Sequence, residues 1–331
     1  MNQVQQKVSC AFETEVISGE SSLKRPHQSF KVIASTRLKA SAVESDIENG
    51  ACSEKIDGTC TFVALHNDRP WLWARLDRKP TKSIEKKFKK YQQQLRNWEQ
   101  NPKGKERPPD FHWDAVKDFK EAPDDWIPAH RVPIVEGIPQ PDRYGHMPGW
   151  LPLAATARQY CWHLDTVQLD AGLCLLLEQK EDQLLEVRVE RLDSLKDCTL
   201  ELIGTNVNGN PYLIGSKAAP LHILVQHGSI AVSRAPSPEY DALVKWFNED
   251  SDSAVEGLVW RCANGMLYKV HRHHLQLPWP LEQKPRLCRS AVTINVDLSL
   301  FTDVDFEEKP LFTKLGRLHG KTYDSLCDIQ L

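Results

Sequence analysis

Cys52-Ser53-Glu54-Lys55-Ile56-Asp57-Gly58-Thr59-Cys60 contains K-x-D-G with a glutamate directly before the lysine. Asp-Gly is a turn signal, and the apolar run Thr61-Phe62-Val63-Ala64-Leu65 reads as the strand that follows it. Lys55 then stands at the mouth of a sheet, beside a glycine that lets a ligand come close to the backbone. A lysine amine is a scarce nucleophile at neutral pH, its reference pKa being about 10.4. The same four residues also suit an ordinary hairpin turn carrying a solvated lysine. The rest of the chain has to decide between the two.

Working outward, His66-Asn67-Asp68-Arg69-Pro70 is a loop signal and Trp71-Leu72-Trp73-Ala74-Arg75-Leu76 reads as the return strand of a hairpin. Period-2 alternation puts Leu72, Ala74 and Leu76 on a core face and turns Arg75 to the open one. Upstream, residues 1–29 show little periodicity and read as irregular, and Phe30–Ala34 reads as a first strand. The clearest helix runs from Ser83, a plausible N-cap, to Trp98. Ile84, Phe88, Tyr91, Leu95 and Trp98 form its apolar stripe. Lys82, Lys86, Lys87, Lys89, Lys90 and Arg96 take much of its remaining circumference. Such a face is either simply solvated or an arm that follows phosphates. From Arg69 to Arg107 there are 13 Lys/Arg against 4 Asp/Glu, a local excess of +9 in a chain whose net charge is −3. A nucleic-acid partner would therefore meet a patch rather than a polycation.

Residues 99–150 are rich in proline and tryptophan and read as an ordered connection, because tryptophan seeks burial. Gln159–His163 and Leu173–Leu177 are apolar enough for strand or helix, and Leu184–Val189 alternates as a strand. Thr199-Leu200-Glu201-Leu202-Ile203-Gly204 places a carboxylate within an apolar run. That is costly unless something offsets it; the plain alternative is that Glu201 faces solvent. Asn206–Tyr212 is a turn cluster, and Leu221–Val225 and Ile230–Val232 read as strands. Ser237-Pro238 reads as a helix start, with Leu243, Trp246 and Phe247 on the buried face.

Glu256–Ala263 and Met266–Arg272 flank Asn264-Gly265, the strongest short hairpin signal. A two-residue loop would set Trp260 opposite Lys269 and put Glu256 and Lys269 on one side, about 13 Å apart along the strand. A three-residue loop would break that parity. Beyond residue 275 only Val292–Val296 reads as a strand.

The length of 331 residues allows one large or two ordinary domains. No stretch reaches the ~20 apolar residues of a membrane helix, and the polar start MNQVQQKVSC lacks a signal-peptide core. An intracellular protein without a membrane partner is expected. The 9 cysteines are scattered, with no C-x-x-C, and are expected as reduced thiols rather than disulfides or a zinc site. The pattern G-x-x-x-x-G-K-[ST] is absent, so a P-loop ATPase is unsupported. His271, His273 and His274 suggest backbone or phosphate contacts more than a metal.

E-K-x-D-G at 54–58, L-E-L-I-G at 200–204, E-G-L-V at 256–259 and Lys269 resemble, in order, motifs I, III, IV and V of the covalent nucleotidyltransferases. These are the ATP-dependent ligases and the mRNA-capping enzymes. Arg75 resembles the motif Ia arginine. With WLWARLDRKP, ELIGTNVNGNPY and KVHRHHL, the chain as a whole is similar to the small ATP-dependent 5′–3′ RNA ligases of chordates.

The resemblance implies an α+β nucleotidyltransferase (adenylation) domain of antiparallel sheets flanked by helices over 1–275. It would carry a basic helical insertion at about 80–150 and a short C-terminal extension over 276–331, with no clear OB-fold. It implies ATP and Mg²⁺ (or Mn²⁺) as cofactors. RNA with a 5′-phosphate and a 3′-hydroxyl end would be joined, as in RNA repair, through lysyl-AMP and adenylylated RNA. Lys55, Asp57 and Lys269 would be catalytic. Glu54, Lys55, Arg75, Glu201 and Lys269 would bind nucleotide, and Glu201 and Glu256 the metal. Arg75, Arg78, Lys79, Lys86, Lys87, Lys89 and Lys90 would bind RNA. Positive charge and a metal near Lys55 would lower its pKa. Position 267 is Leu where many ligases carry a lysine, so Lys269 acts alone or with His271 or Arg272. A GTP-using guanylyltransferase and an inactive RNA-binding protein on a ligase scaffold are the alternatives.

Overall fold

The computed structural model describes residues 8–18, 30–102, 106–181 and 184–331. Residues 1–7 and 19–29, read above as irregular, and Lys103 and Lys105 of the basic run lie outside the described residues. The chain divides into two compact units, one of residues 8–72 and 153–331, the other of residues 73–152.

The elements used below, in chain order, are β1 (Phe12–Ser18), β2 (Phe30–Leu38), β3 (Ala51–Glu54), β4 (Thr59–His66), β5 (Arg69–Arg75), α1 (Lys82–Gln100), β6 (Gly149–Pro152), β7 (Leu173–Glu181), β8 (Leu184–Arg191), β9 (Thr199–Gly204), β10 (His222–Gln226), α2 (Tyr240–Glu249), β11 (Gly257–Arg261), β12 (Leu267–His271), β13 (Ala291–Asn295) and α3 (Pro310–Gly316). The protein is mixed α+β, with antiparallel and mixed sheets and few helices.

The first unit holds a four-stranded sheet in the order Ser9–Cys10, β12, β11, β3. It also holds a mixed sheet in which Thr322–Tyr323, β13, β8, β7, β10, β9 and β4 follow one another. β7 pairs antiparallel with β8, β10 runs parallel to β7, and β13 runs parallel to β8. Their inward residues Leu173, Leu175, Leu177, Val187, Ile223, Val225 and Ile294 form one buried cluster, closed by Phe312 and Leu315 of α3. A second cluster lies on the four-stranded sheet, where Leu258, Trp260, Tyr268 and Val270 meet Leu243 and Phe247 of α2. β1 and β2 pair as a separate antiparallel ribbon. β1 falls where irregular chain was expected; Glu13, Glu15 and Val16 are exposed, so the ribbon carries little of the apolar alternation that reveals a strand.

Three other expectations change. Ile230–Val232 forms no strand and contributes only a bridge between Ala231 and Ser53. α2 begins after Glu239, two residues beyond Pro238, and has no side-chain cap. Helix α1 starts one residue before Ser83, with Thr81 at its N-cap position and no capping hydrogen bond.

In the second unit, β6 pairs antiparallel with β5 and with Ile127–Pro128. Phe88 of α1 packs its ring 4.7 Å from that of Trp113, and Ala115, Phe119 and Met147 form a small buried core. The segment rich in proline and tryptophan is therefore ordered over its described residues. Lys82, Lys86, Lys87, Lys89 and Lys90 are exposed along α1. No helix among the described residues is long and apolar enough to cross a membrane.

Candidate active site

The Lys55–Gly58 turn is not a hairpin. β3 before it belongs to the four-stranded sheet and β4 after it to the mixed sheet, so the turn is where the chain passes from one sheet to the other. Both sides of the turn are fastened. Lys55 N donates to Gly257 O at 2.9 Å and Glu54 N to Ile230 O at 2.9 Å. Asp57 N donates to the Tyr212 hydroxyl at 2.8 Å, and Gly58 N to Glu201 Oε1 at 3.0 Å.

Gly58 is required by space. A Cβ there would lie 2.1 Å from Leu202 O and 2.9 Å from Glu201 Cγ. Gly257 is required in the same way, since its Cβ would lie 2.3 Å from Val270 O. The two glycines bring β4 against β9 and β11 against β12 at the ends that carry the acidic residues.

Lys55 Nζ donates to Glu256 Oε2 at 2.6 Å, with the two side chains 23% and 13% exposed. Burial pulls the Lys55 pKa down, but the charges of Glu256, Glu201 and Asp57 outweigh it and leave the ammonium favoured. The lowered pKa expected from the sequence depends on positive charge and a metal beside Lys55, whereas the protein groups that act on the amine here are acidic. Acidic neighbours surround the amine, and they hold its proton.

Glu54 faces the other way. Its side chain is fully buried and bonded through Oε2 to Arg286 Nη1 at 3.3 Å, while Oε1 has no hydrogen-bond partner among the described residues. Burial pushes the Glu54 pKa up to about 7, with Arg286 offsetting part of the effect.

Asp57 is buried, and its carboxylate is engaged on both oxygens. Oδ2 accepts from Trp279 Nε1 at 2.7 Å and Oδ1 from Asn208 Nδ2. Neither partner stood out in the sequence. Asn208 lay in a turn cluster with an obvious structural reading, and a lone tryptophan between prolines has no periodicity to place it. Arg286 likewise comes from the proline-interrupted stretch after residue 275.

Glu201 is buried rather than solvent-facing. Its Oε2 pairs with His227 Nε2 at 2.8 Å, and His227 Nδ1 meets the Thr199 hydroxyl at 2.9 Å. These contacts are what offset a carboxylate within an apolar strand. His227 lies between the two runs read as strands, Leu221–Val225 and Ile230–Val232, where no local pattern marks it as a partner of Glu201.

The β11–β12 hairpin differs from the two-residue reading. Cys262 N donates to Met266 O at 3.0 Å across Ala263, Asn264 and Gly265, with Gly265 at φ 80°. This is the three-residue loop with a left-handed glycine, and it shifts the register by one. Val259, not Trp260, faces Lys269, and Gly257 faces His271. Glu256 lies just before β11 and so escapes strand parity. Ser53 also pairs with Val259, so Ser53, Val259 and Lys269 form one row across the sheet and share a face. Lys55, Gly257 and His271 form the next row on that face, leaving Lys269 about 12 Å from Lys55 between α-carbons at ordinary sheet spacings.

Arg272 is buried and spent on structure. Its Nε donates to Val255 O at 3.0 Å, and its Nη2 to Phe247 O at 3.0 Å and Ser253 O at 2.7 Å. It therefore does not stand in for a second lysine. The His271 and His274 rings stack at 3.5 Å between centroids. Among the described residues, the histidine trio is not one of the groups whose donor atoms converge with metal-ligand spacing.

The remaining expected residues belong to the second unit. Arg75 Nε donates to Asp77 Oδ1 at 2.5 Å, and its guanidinium lies 5.0 Å from the Trp150 ring centroid. Arg78 donates to Lys120 O at 3.1 Å. Lys79, Lys86, Lys87, Lys89 and Lys90 are exposed, with Lys89 paired to Glu85 at 2.8 Å.

Comparison with known proteins agrees along the whole chain. The family model described as RNA ligase 1 matches residues 1–331. RNA ligase 1 of Danio rerio is 44% identical over 332 residues, covering 100% of this chain and 98% of that protein. RNA ligase 1 of Rattus norvegicus is 42% identical over 333 residues, again with 100% and 98% covered. RNA ligase 1 of Mus musculus is 41% identical over 334 residues with the same coverage.

Proposed function

Since the chain belongs to the RNA ligase 1 family, we propose that it joins a 5′-phosphate RNA end to a 3′-hydroxyl end at the expense of ATP, as in RNA repair, on a nucleotidyltransferase fold. The observation that carries this reading is the Lys55–Glu256 pair at 2.6 Å, on a turn clamped between two sheets.

In this reading the Lys55 amine, once deprotonated, attacks the α-phosphorus of ATP. A P–N bond forms, the bond to pyrophosphate breaks, and lysyl-AMP results. The adenylate then passes to the 5′-phosphate of RNA, restoring the Lys55 amine. A 3′-hydroxyl displaces AMP to make the phosphodiester.

Glu256 holds the Lys55 amine in place and keeps its proton until the carboxylate is otherwise engaged. Lys269 offsets charge that builds on the α-phosphate. Asp57 acts by position: with both oxygens bonded, it fixes the backbone on which Lys55 rides. Glu54 helps to position the adenine, partly through its backbone. Arg75 and the exposed lysines of α1, with Arg78 and Lys79, hold RNA phosphates.

Glu201 and Glu256 both act on the Lys55 charge, which fits a hard cation held by few carboxylates. Bound Mg²⁺ or Mn²⁺ would offset the charge of the leaving pyrophosphate and draw the carboxylates away from the amine.

The test is incubation of the purified protein with labelled ATP or GTP and a divalent cation, then mapping of the modified residue by mass spectrometry. The expected result is an AMP mass on Lys55 with ATP and none with GTP. A GMP adduct would mark a guanylyltransferase, and no adduct with either nucleotide would remove the reading.

A further inference from the structure

Lys55 chemistry uses one face of Glu201; the other face meets two residues that chemistry does not need. Cys60 lies directly across from Glu201, its Cα partner in the β4–β9 pairing. His227 follows β10, its backbone N donating to Thr199 O at 3.1 Å. Cys60 Sγ, a Glu201 carboxylate oxygen and a His227 ring nitrogen all lie within 4.8 Å of one another. Side chains brought together on neighbouring strands need only small rotations to close on a common point.

The roles of the individual atoms are already set. Glu201 Oε1 is taken by Gly58 N at 3.0 Å, so Oε2 is the oxygen left to ligate. His227 Nε2 lies 2.8 Å from that Oε2. His227 Nδ1 lies 2.9 Å from the Thr199 hydroxyl, and Thr199 is buried. In this state Nε2–H donates to the carboxylate and Nδ1 accepts from the Thr199 hydroxyl; once an ion takes the Nε2 lone pair, the hydroxyl turns to accept the proton on Nδ1, as outer partners do for metal-ligating histidines. Cys60 and His227 are half-buried, so an ion can enter and a fourth position stays open.

We propose that Cys60, Glu201 and His227 form a binding site for a thiophilic divalent cation of the zinc class. One sulfur, one nitrogen and one oxygen donor suit such an ion, whereas Mg²⁺ takes oxygen ligands. The Cys60 thiol gives up its proton as the S–metal bond forms, and the neutral His227 only moves its proton from Nε2 to Nδ1. Each ion bound therefore releases one proton from this set. The inference goes beyond the ligase reading and stands whether or not Lys55 accepts a nucleotide. If that reading also holds, an occupied site removes Glu201 from the hard-cation pair with Glu256, and zinc inhibits sealing.

Cobalt(II) serves as the probe, added to the full-length protein after chelator treatment and in the absence of nucleotide and RNA. A thiolate-to-cobalt charge-transfer band saturating near one equivalent is expected, displaced by Zn²⁺ and unaffected by excess Mg²⁺. Cys60→Ser should abolish the band, and Thr199→Val should weaken cobalt binding by about 10-fold through the loss of the histidine's outer partner. Cys161→Ser, at an exposed thiol, should leave the band intact. No band at one equivalent overturns the proposal, as does a band that survives Cys60→Ser or disappears with Cys161→Ser. Should Cys60→Ser fail to fold, the Thr199→Val titration decides alone, and unchanged cobalt affinity there rejects the site.

Discussion

Lys55 Nζ sits 2.6 Å from Glu256 Oε2, although the two residues are 201 positions apart in the chain. β3 and β11 are adjacent antiparallel strands, with Glu54 opposite Leu258, so the end of one strand and the approach to the other converge. Burial alone would lower the Lys55 pKa; the acidic neighbours raise it.

Removing Glu256 should therefore release the proton earlier. In Glu256→Gln, the pH at which Lys55 becomes reactive to an acetylating reagent, followed by mass spectrometry, is expected to move to lower pH than in the wild type. This readout does not depend on nucleotide transfer. An unmoved midpoint would mean that Glu256 does not control the charge of this lysine.

Gly58→Ala should damage stability and site together. The new Cβ, 2.1 Å from Leu202 O, has to push β4 away from β9, at a cost of about 1–3 kcal/mol for an overpacked interior position. Thermal melting is expected to show the loss, and ATP-dependent labelling of Lys55 should fall even at temperatures where the variant is folded. A variant as stable as the wild type would show that the turn can move aside.

Asp57 and Trp279 should be energetically coupled. Asp57→Ala leaves the buried indole N–H of Trp279 without its 2.7 Å acceptor, a penalty of about 1–3 kcal/mol. Trp279→Phe removes the donor and part of the packing. Urea unfolding of the two single variants and the double variant should give a double variant less destabilised than the sum. Strict additivity would place the value of Asp57 elsewhere.

His163 should make the protein weaker in acid. It is buried, neither ring nitrogen has a hydrogen-bond partner among the described residues, and burial, helped by His222, pulls its pKa down to about 4 from 6.5. Below pH 6.5 the unfolded chain takes up a proton that the folded chain refuses until about pH 4. Stability from this group is thus complete above the unfolded value and declines as pH falls through that window, by about 2 kcal/mol at pH 5. The difference in urea midpoint between pH 7 and pH 5 should narrow in His163→Phe. An equal difference in both proteins would refute the assignment.

The exposed lysines of α1 should matter for RNA and not for the first chemical step. Changing Lys86, Lys87, Lys89 and Lys90 to Gln is expected to weaken RNA binding and to reduce the salt slope by roughly one for each phosphate no longer neutralised. Labelling of Lys55 by ATP should persist. Unchanged RNA affinity across a salt titration would show that this face is merely solvated.

The sequence by itself determined the local features. The Lys55 turn, the β4 strand after it, the amphipathic α1 with its basic face, the Thr199–Gly204 strand and the β11–β12 hairpin are all written in short-range periodicity and turn chemistry, which act over a few residues. The ordered motifs were likewise enough to indicate the family. Tertiary structure alone decided what those pieces face. One extra loop residue set Lys269 opposite Val259 rather than Trp260, because strand parity changes with every residue inserted. The close approach of β4 to β9 buried Glu201 and gave it His227, and the segment after residue 275 brought Trp279 to Asp57 and Arg286 to Glu54. Such partners are joined through burial across long sequence separations, for which no local pattern exists. The charge on Lys55 is likewise decided by which carboxylates the folded sheets bring within a few ångströms of its amine.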